Sequence, residues 1–336
     1  MSTTPAPAPH ALPTLPGQAD RLLRELEWKV IRRLDGLLQG DYRTLMRGTG
    51  LDLADLREYQ PHDDVRHIDW NVTARLNIPH VRVFTEDREM SAWFLLDLSP
   101  SINFGPQGNA KRDILTGFVA VLSRLLTRHG NRVGAMLYGA GDSADRAVDT
   151  VLPPRSSRAH VLHLVHRLLT PPAPATGKSK QGGGATELHR LLQTGLANLR
   201  RRSTVFVVSD FISAPGWEKP LAQLAQRHDV VAVRLLDPLE LELPDVGLVT
   251  LRDAESGEQL QVDTHDAGFR HRFARLAAQR EAVLREGLTK AGADALELCT
   301  DDDLVDALLR FMDMRQRRVR RPQAPSLPWA AQSVAA

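Results

Sequence analysis

Two apolar runs in this chain stop at oxygen-bearing side chains. Ala92-Trp93-Phe94-Leu95-Leu96 ends at Asp97-Leu98-Ser99-Pro100-Ser101, and Thr204-Val205-Phe206-Val207-Val208 ends at Ser209-Asp210. Between them, Thr186 follows the glycines Gly182, Gly183 and Gly184. An apolar run that reaches a carboxylate and then hydroxyls reads as a buried strand opening into a polar loop. The set Asp97, Ser99, Ser101, Thr186 and Asp210 contains no Cys and no His. Hard oxygen donors of this kind suit Mg²⁺ or Mn²⁺ and suit zinc or copper poorly. Taken singly, each residue has a structural reading: Asp and Ser cap helices and shape turns, and Thr186 could be the N-cap of a helix at 187–200. Their occurrence together, each at its own loop, is what points to a site.

The elements that would position these residues alternate after Glu89. Strands are predicted at 91–98, 132–138, 204–209 and 229–236, and helices at 109–128, 157–169, 186–200 and 217–227. Strands alternating with helices of this length imply parallel βαβ units. The fold class expected is α/β, a doubly wound and mostly parallel sheet with a small N-terminal β-containing appendage. Ligands in such sheets gather beyond the carboxyl ends of strands, where Asp97 and Asp210 both fall. Residues 20–34 carry an amphipathic helix pattern. From Gly36 to Glu89 the chain is rich in Gly, Arg and Asp, with Val81-Arg82-Val83-Phe84 its clearest strand. Residues 170–184 are a mobile surface loop by composition. Residues 248–264 read as a hairpin turning at Glu255-Ser256-Gly257, followed by a helix at 266–290, a short strand near Leu296-Glu297-Leu298 and a final helix at about 303–316. The expected division is a disordered tail at 1–17, the helix and appendage at 18–89, an α/β domain at 90–312 with a hairpin and helix insertion at about 248–290, and a basic, disordered tail at 313–336. In that tail Arg315, Arg317, Arg318, Arg320 and Arg321 read as a solvated end, with an acidic partner or nucleic acid as the alternative.

Composition narrows the classes. The chain has 336 residues, 25% of them charged, and a formal net charge of +2, so it is not globally polarised. One cysteine, Cys299, excludes a disulfide framework within the chain. No apolar stretch is long enough to span a bilayer. Met1 to Gly17 lacks the basic start and apolar core of a secretion signal, so a cytoplasmic protein is expected. Two phosphate-binding patterns fail. Gly139-Ala140-Gly141-Asp142-Ser143-Ala144 runs into Asp145-Arg146-Ala147-Val148-Asp149, which reads as a strand and not as a helix facing a pyrophosphate. Gly177-Lys178-Ser179 has Pro172 where the first glycine of a phosphate loop must be. His62 and His67 stand five apart with no third ligand in frame, which argues against zinc.

Further stretches carry a family resemblance. Leu56-Arg57-Glu58-Tyr59-Gln60-Pro61-His62-Asp63-Asp64-Val65-Arg66-His67-Ile68-Asp69-Trp70 is followed by Ala74-Arg75. Ser209-Asp210-Phe211 comes next, then Asp237-Pro238-Leu239-Glu240 ahead of Leu243-Pro244. With the Asp-x-Ser-x-Ser pentad, these resemble the bacterial family known as domain of unknown function 58, over about residues 35–312. Its members join a short preamble to a von Willebrand factor A-like domain. His62 departs from the family, whose members often carry Gly there. The resemblance implies that Asp97, Ser99, Ser101, Thr186 and Asp210 match a metal-ion-dependent adhesion site, holding Mg²⁺ or Mn²⁺ weakly enough to be absent from the purified protein. It also implies a non-enzymatic partner of a MoxR-type AAA+ ATPase, or of its client, in protein assembly or maturation. An acidic side chain from that partner would complete the metal's shell, and no nucleic acid is involved.

The segment bearing Asp63, Asp64, Arg66, Asp69, Trp70 and Arg75 has two readings, a salt-bridge cluster fixing the appendage to the sheet or a direct partner contact. Two functional alternatives stay open. A Mg²⁺-dependent phosphohydrolase of the haloacid dehalogenase type also begins with an Asp after an apolar strand, but it needs a second carboxylate two residues on as general acid. Ser99 stands there and cannot donate a proton at neutral pH. The other alternative is a structural scaffold whose site stays empty. The loop positions of these residues predict that Asp210→Ala and Ser101→Ala would weaken association without disturbing the fold.

Overall fold

The structure, a computed structural model, describes residues 15–31, 34, 52–61, 63–85, 91–105, 110–139, 148, 150–170, 186–253 and 258–320. Expectations for residues 1–14, His62, the stretch 140–147, the glycine-rich loop at 171–185, the hairpin turn at 254–257 and the tail beyond Arg320 lie outside them.

Six strands form the central sheet: β3 (Ser91–Asp97), β4 (Arg132–Tyr138), β5 (Thr150–Arg155), β6 (Thr204–Ser209), β7 (Asp229–Leu236) and β10 (Asp294–Cys299), in the order β10-β7-β6-β3-β4-β5. All neighbours are parallel except β4 and β5. The four strands predicted from the apolar runs are present, β3 one residue shorter than expected. β5 is an addition to them, because Pro153 and Pro154 interrupt its pattern. It is an edge strand, where missing N–H groups are tolerated, and its register slips by a bulge at the two prolines.

Strands in the middle of such a sheet are buried on both faces and so read as unbroken apolar runs. Phe94, Leu96, Phe206, Val208, Val231 and Val233 point to one face, where α3 (Ala110–Arg128) and α8 (Leu304–Arg320) cover them with Phe118, Leu122, Leu308 and Phe311. The rings of Phe94 and Phe206 stack at 5.2 Å, with Phe118 edge-on to both. Trp93, Leu95, Val205, Val207 and Ala232 point to the other face. There α5 (Leu188–Asn198), α6 (Glu218–Arg227) and α7 (Ala267–Ala291) supply Leu191, Leu192, Leu221, Leu224, Leu284 and Leu288. The period of two in the strands thus builds both layers of core from one sheet.

Two boundaries differ from expectation. The first helix, α1, spans Leu15–Leu26 and continues as a π-helical turn over Glu27–Ile31. It starts inside the stretch read as tail because Pro16 is tolerated in a first turn, while Ala19 and Leu23 pack on Val161 and Val165 of α4 (Arg158–Leu169). At the other end, α8 runs past residue 316, and Arg315 is buried, bonding Asp229 through two N–H···O contacts of 2.7 and 2.9 Å and lying 3.6 Å from Asp294. This arginine is a core residue and not part of a solvated tail.

The appendage consists of β1 (Asp52–Glu58), antiparallel to β2 (His80–Thr85), with α2 (Trp70–Leu76) between them. β9 (Gln259–Asp263) pairs with β8 (Leu248–Arg252) in a separate hairpin that precedes α7.

Candidate metal centre

The chain runs from β3 to β4 on one side of the sheet and later returns to β6 on the other side of β3. Loops leaving the carboxyl ends of β3 and β6 therefore diverge and leave a crevice, the usual place for a ligand in this topology. Asp97 is the last residue of β3, and Asp210 follows the last residue of β6.

Each side chain is fixed by its own loop. Asp97 accepts the Ser99 N–H at 3.0 Å through Oδ1 and the Ser209 hydroxyl at 2.7 Å through Oδ2. Ser99 and Ser101 bracket the start of a short 3₁₀ turn, Pro100–Asn103, and their hydroxyl oxygens lie 3.1 Å apart. The end of β4 passes close behind them: a side chain at Gly139, whose φ is +79°, would stand 2.9 Å from the Ser99 nitrogen. That close approach explains a glycine which, by sequence, resembles part of a nucleotide fingerprint. Asp210 accepts the Ile212 N–H at 3.0 Å. Next to it Phe211 has φ +59°, uncommon for a bulky residue. Its N–H is held by the Ser209 hydroxyl at 2.9 Å and its buried ring lies edge-on to Trp217. The Ser209-Asp210-Phe211 motif is thus a strained turn clamped at both ends. Thr186 is joined to the same loop, its carbonyl accepting from the Ala214 N–H at 2.8 Å. The N-cap of α5 is Glu187, one residue after Thr186.

Ser101 and Thr186 line one cavity of about 1070 Å³, walled by Phe104, Ile212, Leu239 and Glu240 on the sheet side and by Leu251, Leu260, Phe273 and Arg280 from the hairpin and α7. All five predicted ligands come to this end of the sheet. All five are buried, with Asp97 and Asp210 at 0% and 1% exposure, which corrects the expectation that they lie at loop positions clear of the core.

Two further side chains, Lys111 and Glu240, stand beside these five without having been expected there. Lys111, in the first turn of α3, is fully buried, and its Nζ donates to Asp210 Oδ2 at 2.9 Å and to Glu240 Oε1 at 2.7 Å. The Phe104 ring covers it at 5.6 Å. Glu240 is oriented by a capping box with Asp237, whose N–H it accepts at 3.3 Å. This gives the Asp237-Pro238-Leu239-Glu240 motif a physical role. Contacts spanning 99 and 129 residues leave no periodic signal.

Burial first, and the negative charge of Asp210 second, push Asp97 up to about 6 against the hydrogen bonds from Ser209 and Ser99. Burial also raises Glu240, opposed by Lys111. If Asp97, Asp210 and Glu240 are ionised, Lys111 balances one of three negative charges and leaves a deficit that one divalent cation would fill. The paired serine hydroxyls suit adjacent corners of an octahedron, which at Mg²⁺–oxygen distances of about 2.1 Å lie roughly 3.0 Å apart. Among the described residues no group of three or more His, Cys, Asp or Glu is arranged for a metal. A cation here would depend on hydroxyls as well as carboxylates, and the donor set fits Mg²⁺ or Mn²⁺.

The appendage residues lie elsewhere. Arg57 pairs with Asp63 at 2.6 Å, Asp64 with Arg66 at 3.2 Å, and Asp69 caps α2. The first ties β1 to the turn that follows it, and the other two are local to that turn and to α2. Trp70 and Arg75 are exposed.

A family model described as "Protein of unknown function DUF58" matches residues 55–283. An uncharacterized protein of Mycobacterium tuberculosis is 38% identical over 295 residues, covering 88% of this chain and 89% of that protein. Among solved structures, the chain is similar to an aerotolerance-related membrane protein from Bacteroides fragilis, at 12% identity and a TM-score of 0.38, over 68% of this chain and 98% of that one. It is also similar to a von Willebrand factor type A protein from Catenulispora acidiphila, at 10% identity and a TM-score of 0.32, over 69% of this chain and 43% of that one.

Proposed function

As the chain belongs to the DUF58 family of proteins of unknown function, we propose that it is a non-enzymatic binding module whose grip on a protein partner runs through a divalent metal ion. The observation that carries this reading is the grouping at the β3/β6 crevice of two buried carboxylates and the hydroxyl pair Ser99 and Ser101 at 3.1 Å. When bound, Mg²⁺ or Mn²⁺ supplies an incompletely neutralised positive charge that a partner's carboxylate can satisfy. The chain's residues do the rest. Asp97 and Asp210 hold the negative charge, and Ser99, Ser101 and Thr186 offer hydroxyls.

The partner expected from the family resemblance is a MoxR-type AAA+ ATPase or its client. A hydrolytic role is disfavoured because the acid position two residues after Asp97 is Ser99, whose hydroxyl is too weak an acid to protonate a leaving group at neutral pH. Calorimetric titration of the chelator-treated protein with Mn²⁺, beside Asp97→Ala, tests the reading. Binding in the wild type that vanishes in the variant is the expected result. Equal heats in both proteins exclude this site.

A further inference from the structure

Lys111 has no solvent exposure, and among the described residues its charged partners are a candidate metal ligand and a neighbouring carboxylate. Asp210 has both oxygens engaged, Oδ2 with Lys111 at 2.9 Å and Oδ1 with the Ile212 N–H at 3.0 Å. Asp97 has two hydrogen-bond donors but, among the described residues, no ammonium against it. A divalent ion reaching Asp210 would therefore meet a positive charge already on that carboxylate, and two cations sharing one carboxylate in a buried setting repel strongly. The lysine has a second seat. Glu240 holds it at 2.7 Å and is itself fixed by the Asp237 capping box, while the Phe104 face at 5.6 Å covers the ammonium on another side.

We propose that Lys111 is a built-in competitor for the metal: it neutralises Asp210 when no divalent ion is bound and withdraws to Glu240 when one is, so that Lys111 and Glu240 together set the metal affinity. The exchange breaks one ammonium–carboxylate hydrogen bond and keeps the other, and no proton is transferred. It rests on the metal-dependent reading above and adds two residues to it. The consequence is a weak resting affinity, in which occupancy rises when a partner's carboxylate helps to hold the ion.

The test is calorimetric titration with Mn²⁺ of the full chain as wild type, Lys111→Met, Glu240→Gln and the double variant, with folding checked by circular dichroism. Lys111→Met should bind about 10-fold or more tighter, and Glu240→Gln should bind weaker by a similar factor, the scale at which residues around a metal's ligands act. In the Lys111→Met background, Glu240→Gln should lose most of its effect, because that effect is transmitted through the lysine. Lys111→Met binding no tighter than wild type overturns the exchange while leaving the metal centre standing. So does a Glu240→Gln effect of equal size in both backgrounds. No binding in any variant removes the metal centre and the exchange with it. Should Lys111→Met fail to fold, wild-type protein carrying ¹⁵N-labelled lysine gives an independent readout. The Lys111 ammonium resonance, identified by its displacement in Glu240→Gln, should move on addition of Mg²⁺, and a resonance that stays in place overturns the proposal.

Discussion

Asp97 and Asp210 end neighbouring strands, yet among the described residues only Asp210 has an ammonium against it. A buried carboxylate without a cation penalises the folded state, and its neighbour's charge adds to the penalty. In chelator at pH 7.5, Asp97→Asn should therefore melt no lower than wild type, contrary to most substitutions of a fully buried polar residue. Saturating Mn²⁺, which stabilises by about 2.7 kcal/mol at 100 times its dissociation constant, should raise the melting point of wild type and leave Asp97→Asn unmoved. A second residue-scale prediction concerns His228, at the junction of α6 and β7. It is buried, both ring nitrogens lack a hydrogen-bond partner among the described residues, and burial, then the charges of Arg227 and Arg202, hold its pKa below the usual 6.5. Because the folded-state pKa is the lower one, the stability this residue contributes is fully present above pH 6.5. It is lost as pH falls through 6.5 toward the folded-state value. Urea midpoints at pH 7.5 and 5.5 should converge in His228→Leu relative to wild type, and an unchanged gap between them would show that other groups carry the acid sensitivity.

Elements are legible where apolar runs are uninterrupted. The bounds of β4, β6 and β7 follow from the sequence because strands buried on both faces read as apolar runs, with Arg234 of β7 held by its ion pairs to Glu281 and Glu297. β5 is hidden by its prolines and β1 by the mixed composition of Asp52–Glu58. Residues from 313 on read as a tail for a different reason: a basic sequence looks solvated unless its counter-charges are known, and those of Arg315 lie at the start of β7 and in β10, at Asp229 and Asp294. The ion pair fastens the end of α8 across the sheet. Removing one partner of a buried pair costs about 3–5 kcal/mol, because the other charge stays buried and unpaired. Arg315→Ala should lose about 3 kcal/mol in urea unfolding, and truncation after residue 312 should lose at least as much. A truncated chain as stable as the full one would return residues 313–320 to the status of a tail.

At the scale of the whole molecule, the hairpin and α7 stand over the crevice at the β3/β6 boundary and line an open cavity with it, while the appendage displays a separate exposed surface around Trp70. The strand order explains why part of the candidate site is legible in the sequence: Asp97, Ser99, Ser101 and Asp210 stand at or just beyond the ends of apolar runs that the topology makes neighbours. The wall opposite cannot be found that way, because Lys111, Glu240 and the α7 residues reach the site only through tertiary packing. Burial also changes which substitution tests the site cleanly. Asp210→Ala would strip a partner from the buried Lys111 ammonium and confound binding with folding. Ser101→Ala removes one hydroxyl from the cavity mouth and leaves the ion pair intact. In co-purification with a MoxR-type ATPase, capture should fall with EDTA and with Ser101→Ala and be restored to wild type alone by excess Mg²⁺. Trp70→Ala, on the appendage, should leave capture unchanged. Capture that survives EDTA and Ser101→Ala but fails in Trp70→Ala would move the interface to the appendage.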